Sequence, residues 1–253
     1  MIGAMLFAMS KVYLVIPARL GSTRLPEKPL KLIGDKPMVQ HVYQRAMAVK
    51  NKTAVIVATD HEKIKSLVES FGGQAMMTSA DIQSGTDRVG AIAEQISGSD
   101  GDIFVNVQGD EPLLNPDTIE KAIEMVASRG FDIGTCANEF KDPTALANPN
   151  VVKALVSQTG RAIYFSRFAI PYSREQAASG AAVIPYQHQG IYAYKRSVLK
   201  RFCGLKRTPL EVAESLEQLR ALYYDMTIGV GLVPHISIGV DTPEDLEMVS
   251  KLI

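Results

Sequence analysis

Tryptophan is missing from the 253 residues, and cysteine nearly so, with two. Cys136 and Cys203 have no metal-ligand spacing and no companion pair. A disulfide framework or structural zinc is therefore not expected, and a reducing, cytoplasmic setting fits. Histidine is also scarce: His41, His61, His188 and His235 are scattered without metal spacing. Only His188, in QHQG ahead of a strand, is kept as a candidate site residue. Net charge is absent, with 27 basic residues against 27 acidic ones. Nucleic acid and membrane surfaces both favour a basic face, so neither is an expected partner. No apolar run approaches the ~18 residues of a membrane span. The opening MIGAMLFAMSK is apolar but lacks the basic start of an export signal. Residues 1–10 are expected to form a disordered extension. Several chemical fingerprints are missing too: GxGxxG after a strand, GxxxxGK[ST], GxSxG and HExxH.

What remains is the composition of a globular protein, 46% hydrophobic and 21% charged, long enough for a large core. Val12 to Ile16 is a β-branched run that reads as a buried strand, stopped by Pro17. Helical spacing from Pro37 to Val49 follows, then a strand over 53–60 and a helix over 62–71 closed by Gly72 and Gly73. A short strand at 74–78, a helix entered through QSGTDRV and a strand over 102–107 continue the alternation. This pattern predicts an α/β protein, a mostly parallel sheet covered on both faces. Past residue 130 the strands, at 131–137, 152–156 and 190–194, lie among longer irregular stretches. Residues 173–185 read as a flexible loop, and 210–222 as one helix. A last strand over 228–233 precedes a terminal helix with Thr242 as cap, Pro243 first and Asp245 third. We read 11–253 as one domain with a smaller inserted substructure over about 140–210.

The loop after the first strand carries Arg19, Gly21, Ser22, Arg24, Lys28 and Lys31 against one acid, Glu27. Guanidinium forks match phosphate oxygens in pairs, and a lysine adds a movable point charge. At the carboxyl end of a buried strand, such a loop is suited to polyphosphate; a merely solvated basic loop is the alternative. Two acids stand at comparable ends. Asp110 lies in FVNVQGDEP and Asp241 in IGVDTPEDL. Magnesium favours one or two carboxylates with phosphate oxygens, so the pair could share one ion. Either could instead be local, Asp110 as a turn residue and Asp241 as a helix cap.

Taken together, VIPARLGSTRLPEKPL, ATDHEKI, SGTDRV, VNVQGDEPLL, YFSR, HQGIYAY, LEQLR and GVDTPEDLE resemble the 3-deoxy-manno-octulosonate (KDO) cytidylyltransferases, or CMP-KDO synthetases. The resemblance runs from about Val12 to Ile253. It implies a three-layer α/β/α sandwich of the nucleotide-diphospho-sugar transferase type. It also implies a magnesium-dependent reaction of CTP with KDO for lipopolysaccharide synthesis, and a homodimer formed largely through the inserted region. In that family Arg19, Arg24 and Lys28 would hold the triphosphate, with Arg19 and Lys28 catalytic. Asp110 and Asp241 would be catalytic metal ligands. Ser84, Gly85, Asp87 and Gln108 would line the nucleotide pocket. Arg167, His188, Tyr192, Glu217 and Gln218 would meet the sugar acid, Arg167 through its carboxylate. Glu27 stands where members commonly carry a small residue, often glycine. Some members act on the 8-amino analogue of KDO. Sialic-acid cytidylyltransferases are the runner-up, but usually carry asparagine where this chain has Pro29. A nucleotide-binding regulator without catalysis is a third reading, disfavoured by the paired acids.

Overall fold

A computed structural model describes residues 10–21, 24–172 and 185–253. Residues 1–9 of the extension expected to be disordered and most of the 173–185 loop fall outside the described residues, as does Ser22.

The first apolar run is an interior strand of the sheet, β1 (Val12–Ala18). Alternate side chains leave it for opposite faces. Leu14 and Ile16 join one apolar cluster, while Tyr13 and Val15 join another across the sheet. Two cores on two faces make the expected three-layer sandwich. β1 runs through Pro17 rather than stopping there, which corrects the sequence reading. The Val15 carbonyl accepts from Val107, the residue just after the neighbouring strand β6 (Ile103–Asn106), so by alternation Pro17 faces the same edge. There the neighbour, β6, has already ended at Asn106. The N–H that proline lacks therefore costs no ladder bond.

The other strands are β2 (Leu32–Ile33), β3 (Lys36–Pro37), β4 (Ala54–Thr59), β5 (Gln74–Met77), β6 (Ile103–Asn106), β7 (Ile133–Glu139), β8 (Lys153–Val156), β9 (Ala162–Ser166), β10 (Tyr186–Lys195) and β11 (Ile228–Leu232). The main sheet has the order β11-β7-β10-β6-β1-β4-β5, with β8 beside β10 and β9 beside β8. Along that path only β10 runs against its neighbours. The small β8–β9 ladder is antiparallel and falls within the region read as an insertion. Helices α1 (Met38–Met47), α2 (Glu62–Ser70), α3 (Gly85–Gln95), α4 (Pro116–Ala127) and α5 (Arg196–Cys203) cover the faces. The prolines of the basic loop limit it to a short 3₁₀ turn, Lys28–Leu30.

The single helix expected over 210–222 is two: α6 (Pro209–Glu214) and α7 (Gln218–Tyr223), broken at Ser215 with φ 50°. The end of β9 claims the last residue of α6. Ser166 Oγ and the Arg167 N–H donate to the Glu214 carboxylate at 2.7 and 2.8 Å. Arg167 Nε also takes the Glu214 carbonyl at 2.7 Å. With Ser215 left-handed, the Glu214 carbonyl turns to Arg167 instead of along a continuing helix. The two short helices are joined by a buried ion pair, Arg220 to Glu211, with bonds of 2.6 and 2.8 Å. Removing one partner of such a pair strands the other charge, at about 3–5 kcal/mol. Arg220→Leu should therefore lower the unfolding free energy by that scale, read as a lower urea midpoint, whereas Arg220→Leu with Glu211→Leu should recover much of it. Equal midpoints for the single and double variants would contradict this. The last helix, α8 (Pro243–Ser250), begins as the sequence predicts, with a Thr242–Asp245 capping box.

Candidate active site

From β1 the chain moves to β4 and from β6 it moves to β7, toward opposite edges of the sheet, and ligands of open α/β sheets bind beyond such a point. A cleft of about 270 Å³ lies there. The basic loop forms one wall. The segment after β6 passes over β1 so closely that a Cβ on Gly109 would lie 2.5 Å from the Pro17 carbonyl oxygen. Only glycine fits, and Asp110 follows it into the cleft. The Val240 N–H donates to the Asp110 carbonyl at 2.8 Å. That bond brings Asp241, at the entrance to α8, beside Asp110.

Lys28 stands between the two acids. Its ammonium donates to Asp110 at 2.7 Å and to Asp241 at 2.9 Å. Burial pulls the Lys28 pKa down, but the two carboxylates outweigh it and raise it overall. Arg24 reaches the other oxygen of Asp241 at 3.1 Å. Arg19 lies exposed at the edge, without an ion pair among the described residues. The readings of Asp110 as a turn residue only and of Asp241 as a helix cap are set aside: Thr242 is the cap, and both acids meet one cation.

Ser84 and Gly85 line the same cleft at the start of α3. Asp87 does not line it. As the third residue of α3 it accepts from the Ser84 hydroxyl at 2.8 Å, so it supports that loop from behind. Arg88 borders the cleft and was not singled out from the sequence. It is buried, bonded to Asp60 at 3.0 Å, to the Ile82 carbonyl at 3.1 Å and to Thr78. A cation in the first turns of a helix, beside the SGTD loop whose Ser84 and Gly85 line the cleft, was the available signal.

Gln108 belongs to this cleft and to a second one of about 560 Å³. Its amide donates to the Gly190 carbonyl at 2.8 Å. His188, Tyr192, Gln218 and Glu111 line the second cleft. Buried polar atoms without partners gather there: Glu111 Oε2, Gln189 Oε1 and Gln218 Nε2. Such atoms are costly unless a ligand or water completes them. Glu111, missed in the sequence as the ordinary acid of GDEP, has its pKa pushed up to about 7 by burial. Burial also raises the Tyr192 phenol.

Two expected sugar contacts are elsewhere. Arg167 lines neither cleft, and its guanidinium is spent on the carbonyls of Glu214, Pro149 and Ser215. It holds the β9 end to α6 instead of presenting a free fork to a carboxylate. Glu217 lies between the clefts rather than on either lining, accepting from Thr86 at 2.7 Å. Burial raises its pKa, against the Thr86 hydrogen bond and Arg220.

Burial pushes His188 down to about 3. An unfolded histidine takes its proton near 6.5, so below that pH the unfolded chain binds a proton that the folded one refuses. Stability linked to His188 is complete above about 6.5 and is lost as pH falls toward 3. Urea titrations of His188→Asn should show a shallower acid-side loss over that window; an unchanged slope would contradict a neutral, buried ring.

A cationic loop and two acids beyond the ends of parallel strands, joined through Gln108 to a polar second cleft, define a nucleotidyltransferase site. The family model described as cytidylyltransferase matches residues 13–228. The chain is 44% identical over 246 residues to a 3-deoxy-manno-octulosonate cytidylyltransferase of Thermodesulfovibrio yellowstonii, covering 94% of this chain and 96% of that one. It is also 44% identical over 239 residues to an 8-amino-3,8-dideoxy-manno-octulosonate cytidylyltransferase of Shewanella halifaxensis, with coverages of 94% and 96%. A solved CMP:2-keto-3-deoxy-manno-octonic acid synthetase complexed with CTP superposes with a TM-score of 0.89 at 41% identity, covering 96% of this chain and 98% of that one. The chain belongs to the cytidylyltransferase family.

Proposed function

We propose that this protein is a 3-deoxy-manno-octulosonate cytidylyltransferase, joining CTP to the sugar acid and releasing pyrophosphate. The observation that carries the reading is the Lys28 ammonium held at 2.7 and 2.9 Å between Asp110 and Asp241 in the first cleft. Cytidylyltransferase relatives named for this sugar and for its 8-amino analogue, both at 44% identity, support it.

The anomeric oxygen of the sugar acid bonds to the α-phosphorus of CTP. The bond from that phosphorus to the bridging oxygen breaks, pyrophosphate leaves, and the hydroxyl proton passes to solvent. Positioning and neutralisation of charge do most of the work. Lys28, Arg19 and Arg24 grip the triphosphate, and Lys28 with Arg19 stabilises the leaving pyrophosphate. Ser84, Gly85 and Gln108 border the nucleoside end. His188, Tyr192 and Gln218 orient the sugar acid in the second cleft.

Asp110 and Asp241 fit a magnesium ion. Both present hard oxygen donors, are partly open to the cleft, and already converge on one positive charge. When bound, the ion would neutralise phosphate charge and lower the pKa of the attacking hydroxyl. In the free protein the cations and acids compensate one another. With substrate, each set exchanges that partner for one of the ligand's.

The product would be an activated sugar for lipopolysaccharide assembly in the cytoplasm. A homodimer is part of the proposal, supported by Ile163, Phe168 and Tyr172, large apolar side chains exposed in and just after β9. Among the described residues, no helix is long and apolar enough to cross a membrane.

The purified protein, incubated with CTP, magnesium and each sugar acid in turn, should yield the CMP-sugar by mass spectrometry, with higher kcat/KM for KDO than for its 8-amino analogue. Reversed preference would move the assignment to the analogue, and no product from either would overturn it.

A further inference from the structure

Thr135 lies on β7, fully buried, where the ladder between β7 and β10 loses its register between Gln189 and Ala193. Its hydroxyl oxygen has three polar neighbours. The Ile191 carbonyl is at 2.7 Å, the Gln189 carbonyl at 3.2 Å and His188 Nε2 at 2.9 Å. Carbonyls only accept, and a hydroxyl has one proton to give. That proton goes to the carbonyls, chiefly to Ile191. The remaining lone pairs of the oxygen then face His188 Nε2. Two lone pairs at 2.9 Å would repel, so the ring nitrogen must carry a proton there.

The ring is neutral, packed edge-on against Phe165 at 4.8 Å and beside Tyr192 at 5.6 Å. In a neutral imidazole, a proton on Nε2 leaves Nδ1 bare. Nδ1 has no hydrogen-bond partner among the described residues and is not among the sealed, unpartnered polar atoms. His188 lines the second cleft, and a ligand there is the partner left for an Nδ1 that is neither bonded nor sealed.

We propose that Thr135 is a positioning residue that fixes the Nε2–H tautomer of His188, so that Nδ1 accepts a hydroxyl of the sugar acid and not its carboxylate. The inference rests on the second cleft being the sugar site. It also narrows how the acid is read. A carboxylate facing Nδ1 would set acceptor against acceptor. The carboxylate is left to donors of the same cleft, of which the Gln218 side-chain amide is one, buried and without a partner. Buried threonine in a strand ordinarily passes for β-propensity alone. Here its hydroxyl decides which face of a neighbouring ring can accept.

The test has two readouts on the full chain. The first is nitrogen NMR of ¹⁵N-histidine protein at neutral pH without substrate, with the His188 signals identified by their loss in His188→Gln. Nε2 should be protonated and Nδ1 bare. The second is steady-state kinetics. Thr135→Val, nearly the same shape, should raise KM for the sugar acid about tenfold, the scale of one hydrogen bond. KM for CTP should hold, and Thr135→Ser should restore both the tautomer and the sugar KM. A proton on Nδ1 in the wild type overturns the proposal itself. The Nε2–H tautomer together with a sugar KM that Thr135→Val leaves unmoved overturns the reading of the second cleft instead.

Discussion

Lys28→Ala should lower turnover about 10²- to 10³-fold at saturating substrates, the scale for losing one preorganised charge contact in a transition state. The reason is the place of the ammonium, 2.7 and 2.9 Å from two acids that, among the described residues, it alone joins. In turnover the same charge meets the triphosphate and the pyrophosphate that departs from it. Arginine is not an equivalent replacement, because a planar fork cannot point toward both acids as a compact ammonium does. Lys28→Arg should therefore recover only part of the loss. The substitution has a second, opposite consequence. Lys28 competes with a divalent ion for Asp110 and Asp241, so Lys28→Ala should bind manganese more tightly than the wild type when no nucleotide is present. Calorimetry with manganese alone measures this. Weaker manganese binding in the variant would mean that the acids are not the ion's ligands. Near-full turnover in Lys28→Ala would remove the lysine from the chemistry.

The second large effect is on the acids. Asp110→Asn and Asp241→Asn should each reduce turnover by about 10²- to 10³-fold. Residues that act as one unit are not additive. If both acids hold one ion, the double variant should be scarcely slower than either single one. Losses that multiply would show that the acids serve separate steps. Folding should change little, because both side chains are partly exposed and lie beyond the strands rather than in the core.

The first strand and its basic loop could be read in the sequence because burial and charge change abruptly at one point. Asp110 was legible for the same reason, since it closely follows a buried strand; Asp241 was legible from the helix start beside it, since the last strand ends well before it, at Leu232. Glu27 shows a resemblance explained by the backbone. The family's small residue there fits φ 54°, the left-handed conformation this glutamate adopts. Other features depended on partners far away in the chain. Pro17 remains in a strand because a neighbour ends early. The helix over 210–222 breaks at Ser215, where Glu214 turns to bond the end of β9, some 45 residues earlier. Arg167 looked like a free fork for an acid because sequence does not show that three carbonyls already occupy it. Thr135 and Glu111 looked ordinary, since a buried threonine and a turn acid have several common causes. What marks them is the set of atoms around each, supplied by distant segments: β10 for Thr135, and the stretches around Gly190 and Ser237 for Glu111.

The central claim is that Lys28, Asp110 and Asp241 act on one triphosphate through a shared divalent ion. The most direct measurement is the rate of pyrophosphate release from CTP and KDO as magnesium is titrated into metal-free protein. The account predicts negligible release without metal, a saturable rise with magnesium, and no rise in Asp110→Asn. Undiminished release in the presence of a chelator would contradict it.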